Sequence, residues 1–260
     1  MVKNILAVGD VVGEPGLSFL SKKLRDIKAA KDIAFTVVNG ENASMLGITP
    51  RQADEIFSAG ADVITLGNHA FSRSSILPYL EDNKYILRPA NLSPLSTGRG
   101  WNVFETSFGD VCVINLIGRC GMDFGPDNPF FAADEILRQC SGVKMILVDM
   151  HAEATSEKSA MAFYLDGRVS VVWGTHTHVQ TSDAGVLPEG TGFITDLGMT
   201  GSAVSVLGVR RELSIRRFLG DPERRPYEPA GGPCKLEGAV FSIDTETGRC
   251  VGAEAFRVSD

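Results

Sequence analysis

The chain has 260 residues, 43% hydrophobic and 22% charged, the balance of a globular protein long enough to bury one large core. Its net charge of -7 excludes the broad basic face that general nucleic-acid binding requires, but not a small phosphate substrate whose charge is met by bound cations. Five widely spaced cysteines (Cys112, Cys120, Cys140, Cys234 and Cys250) contain no Cys-x-x-Cys, which excludes zinc-knuckle and thioredoxin-like motifs and suits reduced thiols.

Elements follow in chain order. Residues 5–8 read as a buried strand, followed by Gly13-Glu14-Pro15-Gly16 and an amphipathic helix over 17–29. A second strand is expected at 35–38. Thr49 then serves as an N-cap with Pro50 at the first helical position. Residues 63–66 are strand-like and 74–81 helical, and 102–106 and 111–116 form a hairpin around Gly109-Asp110. Helices are expected over 131–140 and 156–164, and strands over 145–148 and 169–173. The Pro- and Gly-rich stretch 219–233 reads as a loop. Alternation on both sides of Asp244-Thr245-Glu246-Thr247-Gly248 predicts a closing hairpin over 234–258. Short apolar strands with helices between them imply an α/β fold with a mixed, helix-covered sheet, in a single domain over 1–260. No run approaches the roughly 18 apolar residues of a membrane helix, and the opening stretch is too short for a signal segment. A cytoplasmic protein without a membrane partner is expected.

All four histidines sit in short motifs of metal-ligand character: His69 in Gly67-Asn68-His69, His151 in Asp149-Met150-His151, and His176 and His178 in Gly174-Thr175-His176-Thr177-His178. Asp10 in Val8-Gly9-Asp10 and the pair Glu41-Asn42 add oxygen donors. Each segment follows a strand-like run, and an open α/β sheet places its ligand site beyond the carboxyl ends of its strands. Taken singly, Asp10 equally fits a turn cap, Glu41-Asn42 an Asx-type turn, and the histidine pair a core position. Five such segments in one chain point instead to one site, and if His176-x-His178 is extended, both rings share a face. Imidazole with carboxylate suits iron, manganese or zinc better than calcium or magnesium. The expectation is a two-metal hydrolase. Arg119 is a candidate phosphate fork, with a plain surface arginine as the other reading. Asp149 and Asp196 are candidates to orient ligand imidazoles, whereas Glu153, Thr155 and Ser156 are expected to cap the next helix.

The series Gly-Asp, Gly-Glu-Asn, Gly-Asn-His, lone His and Gly-x-His-x-His resembles the calcineurin-like metallophosphoesterases. The longer motifs Gly9-Asp10-Val11-Val12-Gly13, Asn39-Gly40-Glu41-Asn42-Ala43, Arg88-Pro89-Ala90-Asn91, the run from His151 to Lys158, the run from Gly174 to Thr181, and that from Thr195 to Gly201 resemble the bacterial 2′,3′-cyclic-nucleotide 2′-phosphodiesterase family. The resemblance covers nearly the whole chain. It implies a mixed β-sandwich flanked by helices, and two divalent or mixed-valence transition metals. Asp10, Glu41, Asn42 and His178 would hold one, and Glu41, Asn68, His151 and His176 the other, with Glu41 bridging and His69 catalytic. Val12 stands where the wider superfamily has a histidine, and Glu41 where it has an aspartate. The resulting oxygen-richer first site favours iron or manganese over zinc. Ala70-Phe71-Ser72 stands where the family more often has Thr-Trp-Asp, which bears on pocket shape. The implied substrate is a small cyclic phosphodiester opened to a nucleoside 3′-phosphate, and a homo-oligomer is compatible with this. The competing readings are a metallophosphatase or phosphodiesterase of other specificity, or a regulatory metal-binding module acting through RNA or protein.

Overall fold

The computed structural model describes residues 1–122, 125–223 and 225–260. β1 (Val2–Val8) and the short β2 (Asp10–Val11) precede α1 (Gly13–Ala30). β3 (Ile33–Asn39), α2 (Pro50–Ala59), β4 (Val63–Thr65), α3 (Leu77–Asp82) and β5 (Ile86–Leu87) follow. Next come β6 (Trp101–Phe104), β7 (Val111–Ile117), α4 (Pro129–Gln139), β8 (Met145–His151), α5 (Thr155–Leu165) and β9 (Val171–Thr175). β10 (Gly185–Val186), β11 (Gly192–Ile194), β12 (Met199–Ser202), α6 (Arg211–Phe218), β13 (Cys234–Asp244) and β14 (Cys250–Ser259) complete the order. No helix among the described residues is long and apolar enough to cross a membrane.

Two mixed sheets result. The first runs β2-β12-β13-β1-β3-β4-β5, with β14 also paired to β13, and the second β10-β11-β9-β8-β7-β6. β1, β3, β4 and β5 are parallel, as are β7, β8, β9 and β11. The period-two alternation of buried strands decides the layering. Ile5 and Ala7 of β1 pack with Val113, Leu147, Val171 and Trp173 of the second sheet, whereas Leu6 and Val8 pack with Leu17, Leu20 and Leu24 of α1. A third cluster joins Ile114, Val148 and Val172 to Ala133 and Ile136 of α4 and Met161 of α5. The layers are therefore helix, sheet, sheet, helix, which is the expected flanked sandwich.

Thr49 caps α2 with a full capping box to Gln52, and Pro50 lies in the first turn. α1 starts earlier than expected, at Gly13. Pro15 falls in its first turn, where the missing N–H has no partner to lose. β8 runs on to His151, and α6 forms just before the expected loop, in which Arg224 lies outside the described residues. All five cysteines are free thiols.

Trp173 of β9 is 1% exposed and stacks on Phe241 of β13 across the sheet interface, with ring centroids 6.3 Å apart and an interplanar angle of 23°. Trp173→Ala should lower unfolding free energy by about 3–5 kcal/mol, measurable as a fall in urea midpoint at unchanged slope.

Candidate metal centre

The carboxyl ends of the parallel strands in both sheets open at one place. From the first sheet, Asp10 follows β1, Glu41 and Asn42 follow β3, and Asn68 and His69 follow β4; from the second, His151 ends β8, and His176 and His178 follow β9. Among the described residues, donor atoms of Glu41, His151 and His176 all lie within 4.8 Å of one another. His151 Nε2 is 3.1 Å from Glu41 Oε1, 2.9 Å from Asn68 Oδ1 and 3.1 Å from His176 Nδ1. On the other side, His178 Nε2 is 3.6 Å from Asp10 Oδ1 and 3.2 Å from Asn42 Nδ2, and that amide also donates to Glu41 Oε1 at 3.2 Å. The structure thus brings together every predicted metal-site residue.

The hydrogen-bond pattern tests whether these atoms suit a cation. The Thr175 hydroxyl donates to Asp149 Oδ1 at 2.7 Å, so its oxygen accepts from His151 Nδ1 at 2.9 Å. Leu207 O accepts from His178 Nδ1 at 3.1 Å, and Glu153 Oε2 lies 3.1 Å from His176 Nε2. Each ring is anchored by its outer nitrogen, which turns the inner one toward the Glu41 cluster, the arrangement of a ligating histidine. Asp10 Oδ1 is buried without a hydrogen-bond partner. A Cβ at Gly67 would come within 2.3 Å of His151 Nε2 and 2.4 Å of Glu41 Oε2, so only glycine admits both side chains. An excess of converging lone pairs fits cations.

Electrostatics show the same demand for positive charge, met by the imidazoles themselves. Burial alone would raise both carboxyls. The charge of His178, 3.6 Å away, with that of His151 and the backbone N–H of His176, holds Asp10 well below the usual carboxylate range, and the charge and hydrogen bond of His151 hold Glu41 low. Burial opposes charge on His151, but Glu41, Asp10 and Asp149 push it up to about 9. Burial, together with the neighbouring His151, pushes His176 down to about 4. Burial lifts Asp149 to about 6.

His176 and His178 are not extended: their φ angles are 100° and 63°, in the left-handed region that side chains rarely adopt. The expected shared face of a strand is replaced by a tight bend after β9, and this bend delivers the two rings to opposite sides of Glu41. Asp196 pins the bend, accepting from Thr177 N at 3.1 Å and Thr177 Oγ1 at 2.8 Å, and Lys158 Nζ meets it at 2.7 Å.

His69 lines the groove over the cluster, and its backbone N–H donates to Glu41 Oε2 at 3.0 Å. Its ring is held loosely, 3.5 Å from Ser72 Oγ and 3.4 Å from Asn68 Nδ2. Of the two readings of Arg119, its position fits the plain surface arginine. The turn after β7 leaves it exposed, with its backbone N–H held by Glu157, and Arg73, Arg217 and Arg225 line the groove instead. Glu153 does not cap α5 but faces His176, because the N-cap is Ala154 and makes no side-chain bond; Thr155 and Ser156 lie inside the helix. Thr175 escaped the sequence reading because a threonine in a buried strand resembles any β-former.

Lys158 and Asp196 are 0% and 1% exposed. Lys158→Met leaves the Asp196 charge buried alone, and should cost about 3–5 kcal/mol and loosen the His176–His178 bend. Chemical denaturation and nitrogen-15 chemical shifts of the two imidazoles would register both effects.

Residues 6–256 match the family described as YmdB-like protein. The chain is 40% identical over 261 residues to the 2′,3′-cyclic-nucleotide 2′-phosphodiesterase of Bacillus subtilis strain 168, covering 99% of this chain and 97% of that protein. A crystal structure of a hypothetical protein from Thermus thermophilus matches with a TM-score of 0.91 at 37% identity over 99% of both chains. That of a novel phosphatase from Mycoplasma pneumoniae matches with a TM-score of 0.93 at 31% identity, over 100% of this chain and 94% of the other. The match runs through every element that supplies the cluster, and the chain belongs to the YmdB-like family.

Proposed function

We propose that the protein is a metal-dependent phosphodiesterase that opens 2′,3′-cyclic nucleotides to nucleoside 3′-phosphates, acting as one domain over residues 1–260 in the cytoplasm. The observation that carries this reading is the surplus of inward-facing acceptors around Glu41, including the partnerless Asp10 Oδ1. The named activity of the B. subtilis relative supports it. Asp10, Glu41, Asn42 and His178 would hold one metal, and Glu41, Asn68, His151 and His176 the second, with Glu41 shared. The mixed nitrogen and oxygen donors favour iron or manganese, with zinc as the other fit. Such a pair supplies Lewis acidity toward the phosphoryl oxygens and a water nucleophile active at neutral pH.

The chain's own residues do the rest. Glu41, 0% exposed, carries the negative charge that draws cations into the cleft. Thr175 and Asp149 hold the His151 ring in the tautomer whose Nε2 faces inward. Unlike the three anchored rings, His69 stands over the cluster with neither nitrogen in a short hydrogen bond. It is free to pass a proton to the departing 2′ oxygen, a role worth ~10²–10⁴-fold in rate.

Two variants separate these roles. Glu41→Gln should keep the fold while losing at least one metal equivalent and turnover; two full equivalents with unchanged turnover would rule out the shared carboxylate. His69→Ala should lower kcat by ~10²–10⁴-fold at unchanged metal content, and emptying of a metal position would reverse the assignment.

The reaction itself is tested by phosphorus NMR of the product formed from a 2′,3′-cyclic nucleotide. A 3′-phosphate is expected. Predominant 2′-phosphate would overturn the leaving group, and no turnover with two metals bound would favour the regulatory reading.

A further inference from the structure

We propose that Tyr227, backed by Arg217, is the platform on which the substrate's nucleobase stacks, an assignment that rests on the cyclic-nucleotide reading above. The groove that reaches Glu41, His69, His176 and His178 continues within one cavity of about 990 Å³ to Leu207, Arg217 and Tyr227. That volume lies at the upper end for small-molecule sites, so there is room beyond the phosphate. The Arg217 guanidinium carbon is 4.3 Å from the Tyr227 ring centroid, a cation–π distance that fixes the ring. Even so, Tyr227 remains 41% exposed.

Charge pairing singles out Arg217. Its neighbours are neutralised: Arg210 by Glu228, Arg211 by Glu212, Arg216 by Asp221 and Arg225 by Glu223. Among the described residues Arg217 has no carboxylate within salt-bridge distance, and its charge is committed to the ring. A fixed, half-exposed aromatic in the same groove as the metal-site residues offers a π-face that any base can cover. Phosphate at the histidine cluster and base on Tyr227 would hold the ribose between two fixed points. The rival seat is a cavity of about 390 Å³ lined by Phe71, Leu92 and Ile117, which touches Asn68 but none of the four histidines.

The test compares equilibrium binding of adenosine 3′-monophosphate and ribose 3-phosphate to metal-loaded wild type, Tyr227→Ala, Tyr227→Phe and Phe71→Ala. Tyr227→Ala should weaken nucleotide binding by roughly 5- to 150-fold, about 1–3 kcal/mol at 1.4 kcal/mol per decade. Tyr227→Phe should retain it, and ribose 3-phosphate should bind all four proteins alike. In turnover, Tyr227→Ala should raise KM for the cyclic nucleotide while leaving hydrolysis of methyl para-nitrophenyl phosphate unchanged. Equal wild-type affinity for the two ligands would overturn the platform, as would a loss confined to Phe71→Ala. Base-dependent binding that requires Tyr227, in a protein that fails to hydrolyse cyclic nucleotides, would sustain the platform and defeat the activity.

Discussion

Two carboxylates, Asp10 and Glu41, are buried completely at the meeting point of the two sheets, and most of the local architecture answers that constraint. A buried anion is costly unless it is paired and hydrogen-bonded. His151 and His178 supply partial compensation, and the backbone N–H groups of His69 and His176 donate to Glu41 and Asp10. Asp10 Oδ1 is nonetheless left without a donor. A globular interior tolerates such an arrangement where a positive charge completes it, which ties the folding of the strand ends to the chemistry proposed for them.

The support around the cluster is layered by distance. Thr175 and Asp149 sit behind His151, and Thr65 Oγ1 donates to Asp149 Oδ2 at 2.5 Å, so a residue from the first sheet steadies a group in the second. Lys158 and Asp196 do the same for the bend that carries His176 and His178. The segments that carry the clustered side chains are short excursions from strands with little freedom of their own. The apolar interface around Trp173 and Phe241 adds to these bonds in keeping a cluster assembled from two sheets in register.

Much of this was legible in the sequence, for physical reasons. Buried parallel strands read as apolar runs and the α2 cap is a local motif, so β1, β3, β8 and α2 were visible. The site residues stood out because imidazoles are scarce in this chain and each follows such a run. What stayed hidden depends on tertiary contact. β2, β5 and β10 are two residues long and exist only through their partners. The left-handed backbone at His176 and His178 is imposed by Asp196, Lys158 and Asp10 from elsewhere in the chain. Which of two readings Arg119 would take, and that Glu153 would face His176 instead of capping α5, stayed open because the direction of a side chain after a strand end depends on the turn, which neighbouring composition does not specify. Tyr227 lies in a stretch whose prolines and glycines announce only a loop.

β13 joins three partners: it pairs with β12 and β1 in turn, and with β14 throughout. Its register with β1 sets Val8 against Gly238 and Val2 against Asp244, so the first strand of the chain waits for nearly the last. During synthesis β1 can recruit β3 early, but its other edge stays uncovered until β13 emerges. Such long-range pairing slows folding and leaves an open strand edge on the nascent chain. Because Asp10 lies just past β1, and β2 is held by β12, which itself pairs with β13, the acidic half of the cleft takes its final shape only once β12 and β13 are in place.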